Sequence, residues 1–159
     1  MDDAMTQAAA KQTYAMVCKM LDNNDWKYQA DPEKMRITCG ARGDDLPIEV
    51  VIDVDAKRQI VFLLSQIPVV VAEDKRLDIA VAISTINNDM VHGCFDYNLS
   101  SGRIYFRMVN SFAGSELGQD ALYYLLMCTC QTVDQYNDKL LMLGKGLMTL
   151  EQFLQAEAN

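Results

Sequence analysis

Few residues in this chain are placed to do chemistry. Its 159 residues hold one histidine, His92, and histidine is the side chain whose ordinary pKa lies near neutrality. No Gly-x-Ser-x-Gly elbow is present, and no two carboxylates stand at a spacing suited to acid–base work. Asp44-Asp45 reads as a solvated loop pair. The cysteines are Cys18, Cys39, Cys94, Cys128 and Cys130, and only the last two are near enough in sequence to share an ion. On a helix, side chains two positions apart point about 200° away from each other. His92 is not an obvious third ligand, so no metal site is expected. Gly40 and Gly43 lie in a polar loop with no following helix and no Lys-Ser/Thr pair, which fails the phosphate-loop motif. The expectation is no catalytic residue, no cofactor and no enzyme.

What remains is contact chemistry. Arg76 and Arg107 can each meet a carboxylate of an acidic partner segment through two guanidinium N–H groups. Tyr105, on the same strand face as Arg107, and Asn87, at a helix end, complete a candidate partner-binding set. Each has a plainer reading. An internal ion pair or solvent accounts for an arginine, and an Asn at a helix end commonly satisfies backbone groups. Trp26 and Tyr28 share a strand face and default to core packing. Ten methionines either fill a core, the plainer reading, or line a pliable groove.

These residues must be positioned by a folded domain. A chain of this length buries roughly 68–70% of its unfolded surface, and half of its residues are apolar. A formal charge of −8 argues against nucleic acid or an anionic bilayer as partner, because both bind clustered Lys and Arg. The opening MDDAMTQAAAKQ has neither the basic nor the apolar region of a signal peptide, and no apolar run reaches membrane-spanning length. An odd number of cysteines, mostly in apolar-patterned elements, reads as reduced buried thiols in a cytoplasmic protein.

Taken in order, residues 5–22 carry one helical apolar stripe: Tyr14, Val17, Cys18 and Leu21. Residues 26–30 and 35–39 read as strands around an Asp31-Pro32 turn, and 40–46 as a polar loop. Ile48, Val50, Ile52 and Val54 alternate on one strand face, and 59–65 is a strand apolar on both faces. Residues 67–71 read as a stiff link into a second helix. That helix opens with Glu73 and Asp74 and is apolar nearly all round from Leu77 to Ile86, so other elements or a second subunit should cover it. Residues 94–98 and 103–109 form a hairpin about Ser101-Gly102. A last long helix has Glu116 and Asp120 in its first turns, and Leu117, Ala121, Tyr124, Leu125, Cys128, Val133, Tyr136, Leu140 and Leu143 on its apolar face. Thr149 and Gln152 suggest a capping box on a short terminal helix. The layout is α+β: an antiparallel sheet of five to six strands covered by an N-terminal helix, a middle helix and a long C-terminal helix.

Several of these residues carry a resemblance. Gly93-x-Phe95 followed by Gly102-x-Ile104-x-Phe106-Arg107 is similar to the YbjN-like family, the so-called bacterial sensory transduction regulators. So are Asp25-x-x-Tyr28, Glu73-Asp74-Lys75-Arg76, Ile86-Asn87, and Asp134-x-Tyr136 with Gly146. The resemblance is strongest over residues 25–146 of a single domain spanning 1–159. Ala72 and Ser101 depart from it, standing where the family often has Pro and an acid. The resemblance implies a fold like that of type III secretion chaperones, which are small acidic α+β homodimers that bind extended segments of other proteins. It therefore implies a non-enzymatic protein-binding role, with a homodimer and a protein partner of unknown identity. The alternative is a small-molecule-sensing regulatory domain with a pocket between the sheet and the long helix.

Overall fold

Two hairpins in the first half of the chain are turned by the same chemistry. The Asp31 carboxylate accepts from the Lys34 N–H at 3.2 Å, and the Asp55 carboxylate from the Arg58 N–H at 2.9 Å. The next residues, Met35 and Gln59, take φ of 50° and 53°. Such Asx-closed turns join β1 (Tyr28–Asp31) to β2 (Arg36–Arg42) and β3 (Pro47–Asp55) to β4 (Ile60–Val70). The computed structural model describes residues 3–158. The other elements are α1 (Asp3–Asn23), a 3₁₀ turn (Glu73–Lys75) leading into α2 (Arg76–Asp89), β5 (Cys94–Asn98), β6 (Arg103–Ser111), α3 (Gln119–Gly144) and α4 (Leu150–Glu157).

The six strands form one sheet in the order β1-β2-β3-β4-β6-β5, with every pairing antiparallel. Residues of one parity are buried: Ile37 and Cys39, Ile48 to Val54 in steps of two, Val61, Leu63, Ile67 and Val69, then Ile104, Phe106 and Met108. Helices α1, α2 and α3 pack on this side. Burying each such side chain contributes about 1.5–3 kcal/mol, so the alternation fixes the register and leaves the other sheet face outward.

The structure corrects several boundaries. Residues 40–42 belong to β2. Residues 67–70, expected as a link, continue β4 beyond a register irregularity between Gln66 and Val70. Pro68 sits in that irregular stretch, where its missing N–H costs no regular ladder bond. Helix α3 begins at Gln119, so Glu116 lies before it, and its buried stripe is rotated. Leu122, Leu126, Thr129, Cys130 and Asn137 are inside, whereas Tyr124 is half exposed. The methionines divide: Met20 and Met108 are core, Met16, Met35, Met90 and Met148 pack against it, and Met5 is exposed. All five cysteines are free thiols, but only Cys39 and Cys130 are buried; the other three are half-buried. Thr149 and Gln152 do form the capping box of α4.

Candidate protein-contact surface

Asn87 is the most tightly specified of the candidate residues. Its side-chain amide donates to the Phe95 carbonyl at 2.9 Å and its oxygen accepts from the Phe95 N–H at 2.8 Å. The amide thus acts as one peptide unit of an extra strand on the free edge of β5, blunting an edge that would otherwise present bare backbone. Phe95 meets Phe106 and Tyr136 edge-on, with ring centroids 5.2 and 5.8 Å apart. Gly93 (φ 70°) lets the chain pass the Phe106 ring, since a Cβ there would lie 2.5 Å from it. Gly102 (φ 68°) packs against the Val71 backbone, and a Cβ would sit 2.7 Å from its carbonyl oxygen. Asp134 accepts from the Asp44 N–H at 2.9 Å, tying the β2–β3 loop to α3.

Arg76 and Arg107 do not converge. Arg76 opens α2 on the helix-covered side near Tyr97, whose phenol is raised in pKa by burial, partly offset by the Arg76 charge. The Arg76 Nε and the Tyr97 hydroxyl are both buried without a hydrogen-bond partner. Arg107 lies on the uncovered sheet face. Its guanidinium grips Asp96 through Nε at 2.6 Å and a second nitrogen at 3.2 Å, and touches the Cys94 sulfur at 3.6 Å. Burial, with Asp96 adding to it, pushes the Cys94 thiol up despite the nearby guanidinium, so the sulfur stays protonated near neutrality. Tyr105, half-buried on the same face, pairs in register with Asp96.

The uncovered face has a plan that the candidate list missed. Arg36, Asp53, Phe62 and Val109 occupy one row across β2, β3, β4 and β6. Thr38, Val51, Leu64, Arg107 and Cys94 occupy the next. Arg36 forms a second two-pronged pair, to Asp53, at 2.6 and 2.7 Å. Between the two ion pairs lie Val51, Phe62 and Leu64, half-buried, and Val109, 42% exposed. Strict alternation of β3 and β6 was the signal for this row; the pairing of β4 with β6 was not visible without topology.

A second surface is the outer side of α2. Ile79, Ala82, Ile83 and Ile86 face the core, but Leu77 is 74% and Val81 46% exposed. Of the two coverings expected for this helix, other elements or a second subunit, the chain's own elements supply one side. Elsewhere, His92 stacks edge-on against Tyr124 at 5.5 Å. Among the described residues, no three His, Cys, Asp or Glu side chains gather as metal ligands, and no helix is long and apolar enough to cross a membrane. An open concavity lies at the β2–β3 hairpin, lined by Tyr28, Thr38, Arg42, Asp44 and Glu49.

A family model described as "Putative bacterial sensory transduction regulator", YbjN, matches residues 13–142. The chain belongs to the YbjN family. Among solved structures, a chain of the ExsC–ExsE complex aligns with a TM-score of 0.60 at 12% identity, covering 81% of this chain and 93% of that one. The crystal structure of YbjN from E. coli aligns at 0.57 and 10% identity, covering 76% and 85%. A chain of the HopA1–SchA chaperone–effector complex aligns at 0.48 and 13% identity, covering 76% and 88%, and adds nothing to the assignment. A search of curated proteins finds no match. The α+β, type III secretion chaperone-like fold implied by the resemblance is therefore the fold of this YbjN-family chain. Its family motifs at Asn87, Gly93, Phe95, Gly102, Phe106, Asp134 and Tyr136 are the clasps just described, and they build the scaffold.

Proposed function

We propose that this chain is a non-enzymatic, chaperone-like protein-binding module with a regulatory role, acting in the cytoplasm as a homodimer and as a single domain. The observation that carries the reading is α2. Its sequence is apolar nearly all round, yet the chain covers one side and leaves Leu77 and Val81 in solvent. Exposing a paired Leu and Val at i and i+4 costs solubility without serving the core, as expected of a stripe that an apolar segment of another protein covers. Arg76, beside Leu77, stands where it can meet a carboxylate flanking that segment, whereas Tyr105 and Arg107 belong to the sheet face. Family membership and the fold shared with the ExsC–ExsE complex support the same reading.

The test is affinity capture of the tagged chain from its native host with quantitative mass spectrometry, beside Leu77→Glu/Val81→Glu. One or a few proteins enriched by the parent and lost with the double variant are expected. Enrichment indifferent to the double variant, or no reproducible enrichment, overturns the reading.

A further inference from the structure

Helix α4 stands apart from the scaffold it rests on. The residues matched by the family model end at 142, before α4 begins. Helix α3 closes at Gly146 (φ 73°), where the Leu147 N–H returns to the Met142 carbonyl at 2.8 Å. Leu147 and Met148 lead to Thr149, whose capping box starts α4 independently of α3. Side chains then hold α4 down. Phe153 is fully buried, Leu150 and Leu154 pack against the core beside it, and Glu157 meets Lys139 at 2.7 Å. Leu150, Phe153, Leu154 and Glu157 stand at i, i+3, i+4 and i+7, the anchor spacing of a helix laid in a groove. The groove is the seam between α2 and α3, both of which α4 touches.

Helix α4 fills only part of that seam. Its last residue, Glu157, and Lys139 lie at Tyr136, with the Lys139 ammonium 5.8 Å from the ring centre. Asp89, at the end of α2, acts on the same phenol. Past Tyr136 the seam stays open as a groove of about 300 Å³. Asp89, Val91 and His92 form one wall, and Cys128, Gln131 and Gln135 of α3 the other. From Cys128 to Gln135 this is about 10 Å of helix axis. Val91 stands 87% exposed beside it.

We propose that the α2–α3 seam is a docking groove for an amphipathic helix of another protein, and that α4 is its tethered competitor. The incoming helix repeats the α4 pattern, with apolar anchors at i, i+3 and i+4 and a carboxylate at i+7 for Lys139. It runs on for about two more turns and sets an apolar side chain on Val91. The inference rests on the protein-binding reading of α2 and adds a second contact on the same helix. The α4 of a second copy would fill the same part of the seam and leave the rest open, so the open part points to a longer, foreign helix. Tethering holds α4 at an effective concentration on the order of millimolar. The partner must outbind it, and contacts in the open part supply the advantage that α4 lacks.

Fluorescence anisotropy on the full chain tests the groove, with a labelled peptide of residues 147–157 as probe. Phe153→Ala releases α4, so that chain binds the peptide roughly tenfold or more tighter than the parent does. The same peptide carrying Phe153→Ala does not bind. Lys139→Glu loosens α4 without emptying the core, and keeps the test available if Phe153→Ala costs the fold. That chain prefers a Glu157→Lys peptide over the unaltered one by roughly tenfold. A second probe, a displayed library of helical peptides of about 18 residues, or five turns, is selected on the Phe153→Ala or Lys139→Glu chain. Selected sequences carry the i, i+3, i+4 and i+7 pattern. Val91→Glu in the chain weakens them by roughly tenfold and leaves the 147–157 peptide unaffected. Altered chains that keep their circular dichroism yet bind no peptide overturn the groove. Selected peptides without the pattern, or indifferent to Val91→Glu, overturn the longer partner. A homodimer that Phe153→Ala dissociates puts a second copy's α4 in the seam and overturns the foreign helix. Partner capture that depends on Leu77 and Val81 but does not rise with Phe153→Ala overturns this inference and leaves the α2 reading standing.

Discussion

Replacing Asn87 with alanine separates a scaffold clasp from a ligand reader. The substitution removes two hydrogen bonds, of 2.8 and 2.9 Å, to the Phe95 backbone. Each contributes about 1 kcal/mol net, with more lost where the stranded N–H and C=O are poorly reached by water. Alanine's better helix propensity returns about 0.6 kcal/mol. The balance is a loss of about 1.5–3 kcal/mol, or roughly 4–10 °C in Tm for a chain of this size. Urea unfolding followed by circular dichroism reads it as a lower midpoint at unchanged slope. The control is Asn88→Ala: Asn88 is exposed and bonds the neighbouring Asp89 side chain, so its loss should stay within about 0.5 kcal/mol. If Asn87→Ala is as silent as the control, the clasp is not what the residue does.

Other outcomes follow from the same contacts. Gly102→Ala should cost about 2–4 kcal/mol, because φ is 68° and its Cβ would crowd the Val71 carbonyl; thermal unfolding reads it. Asn137 is buried in α3 with both amide atoms unpartnered. Asn137→Leu should therefore be neutral or about 1 kcal/mol stabilising in urea, since it removes two unmet polar atoms without breaking a bond. The Tyr28 phenol is pushed up to about 12, first by burial and then by its hydrogen bond to Asp22. A folded pKa above the ordinary value near 10 means that this contribution is complete below pH 10 and is lost as pH rises toward 12. Tyr28→Phe should remove that part of the alkaline slope in a pH series of unfolding curves.

The sheet was legible because its strands alternate: Ile48 to Val54 and Ile104 to Met108 name their buried faces outright. The end of β4 was not, although Ile67, Val69 and Val71 keep the same parity, because Pro68 argues against a strand wherever regular pairing is assumed. The apolar face of α3 was misdrawn because Thr129 and Asn137 are polar by type yet buried, while Tyr124 is aromatic yet half exposed. Contact residues were hardest to read. Arg107 was visible as a candidate, but its partner Asp96 and the matching Arg36–Asp53 pair emerge only once the registers of β5 with β6 and of β2 with β3 are known. Arg76 and Arg107, paired as candidates by residue type, are separated by the thickness of the sheet.

Photo-crosslinking in the native host tests most directly whether this chain binds another protein through α2. A benzophenone amino acid is placed at position 81, in the exposed stripe, and in a control at the exposed Glu151 of α4. Irradiation is predicted to give a discrete adduct with a different protein from position 81 and not from position 151. No adduct at 81, or the same adducts from both positions, would contradict the account.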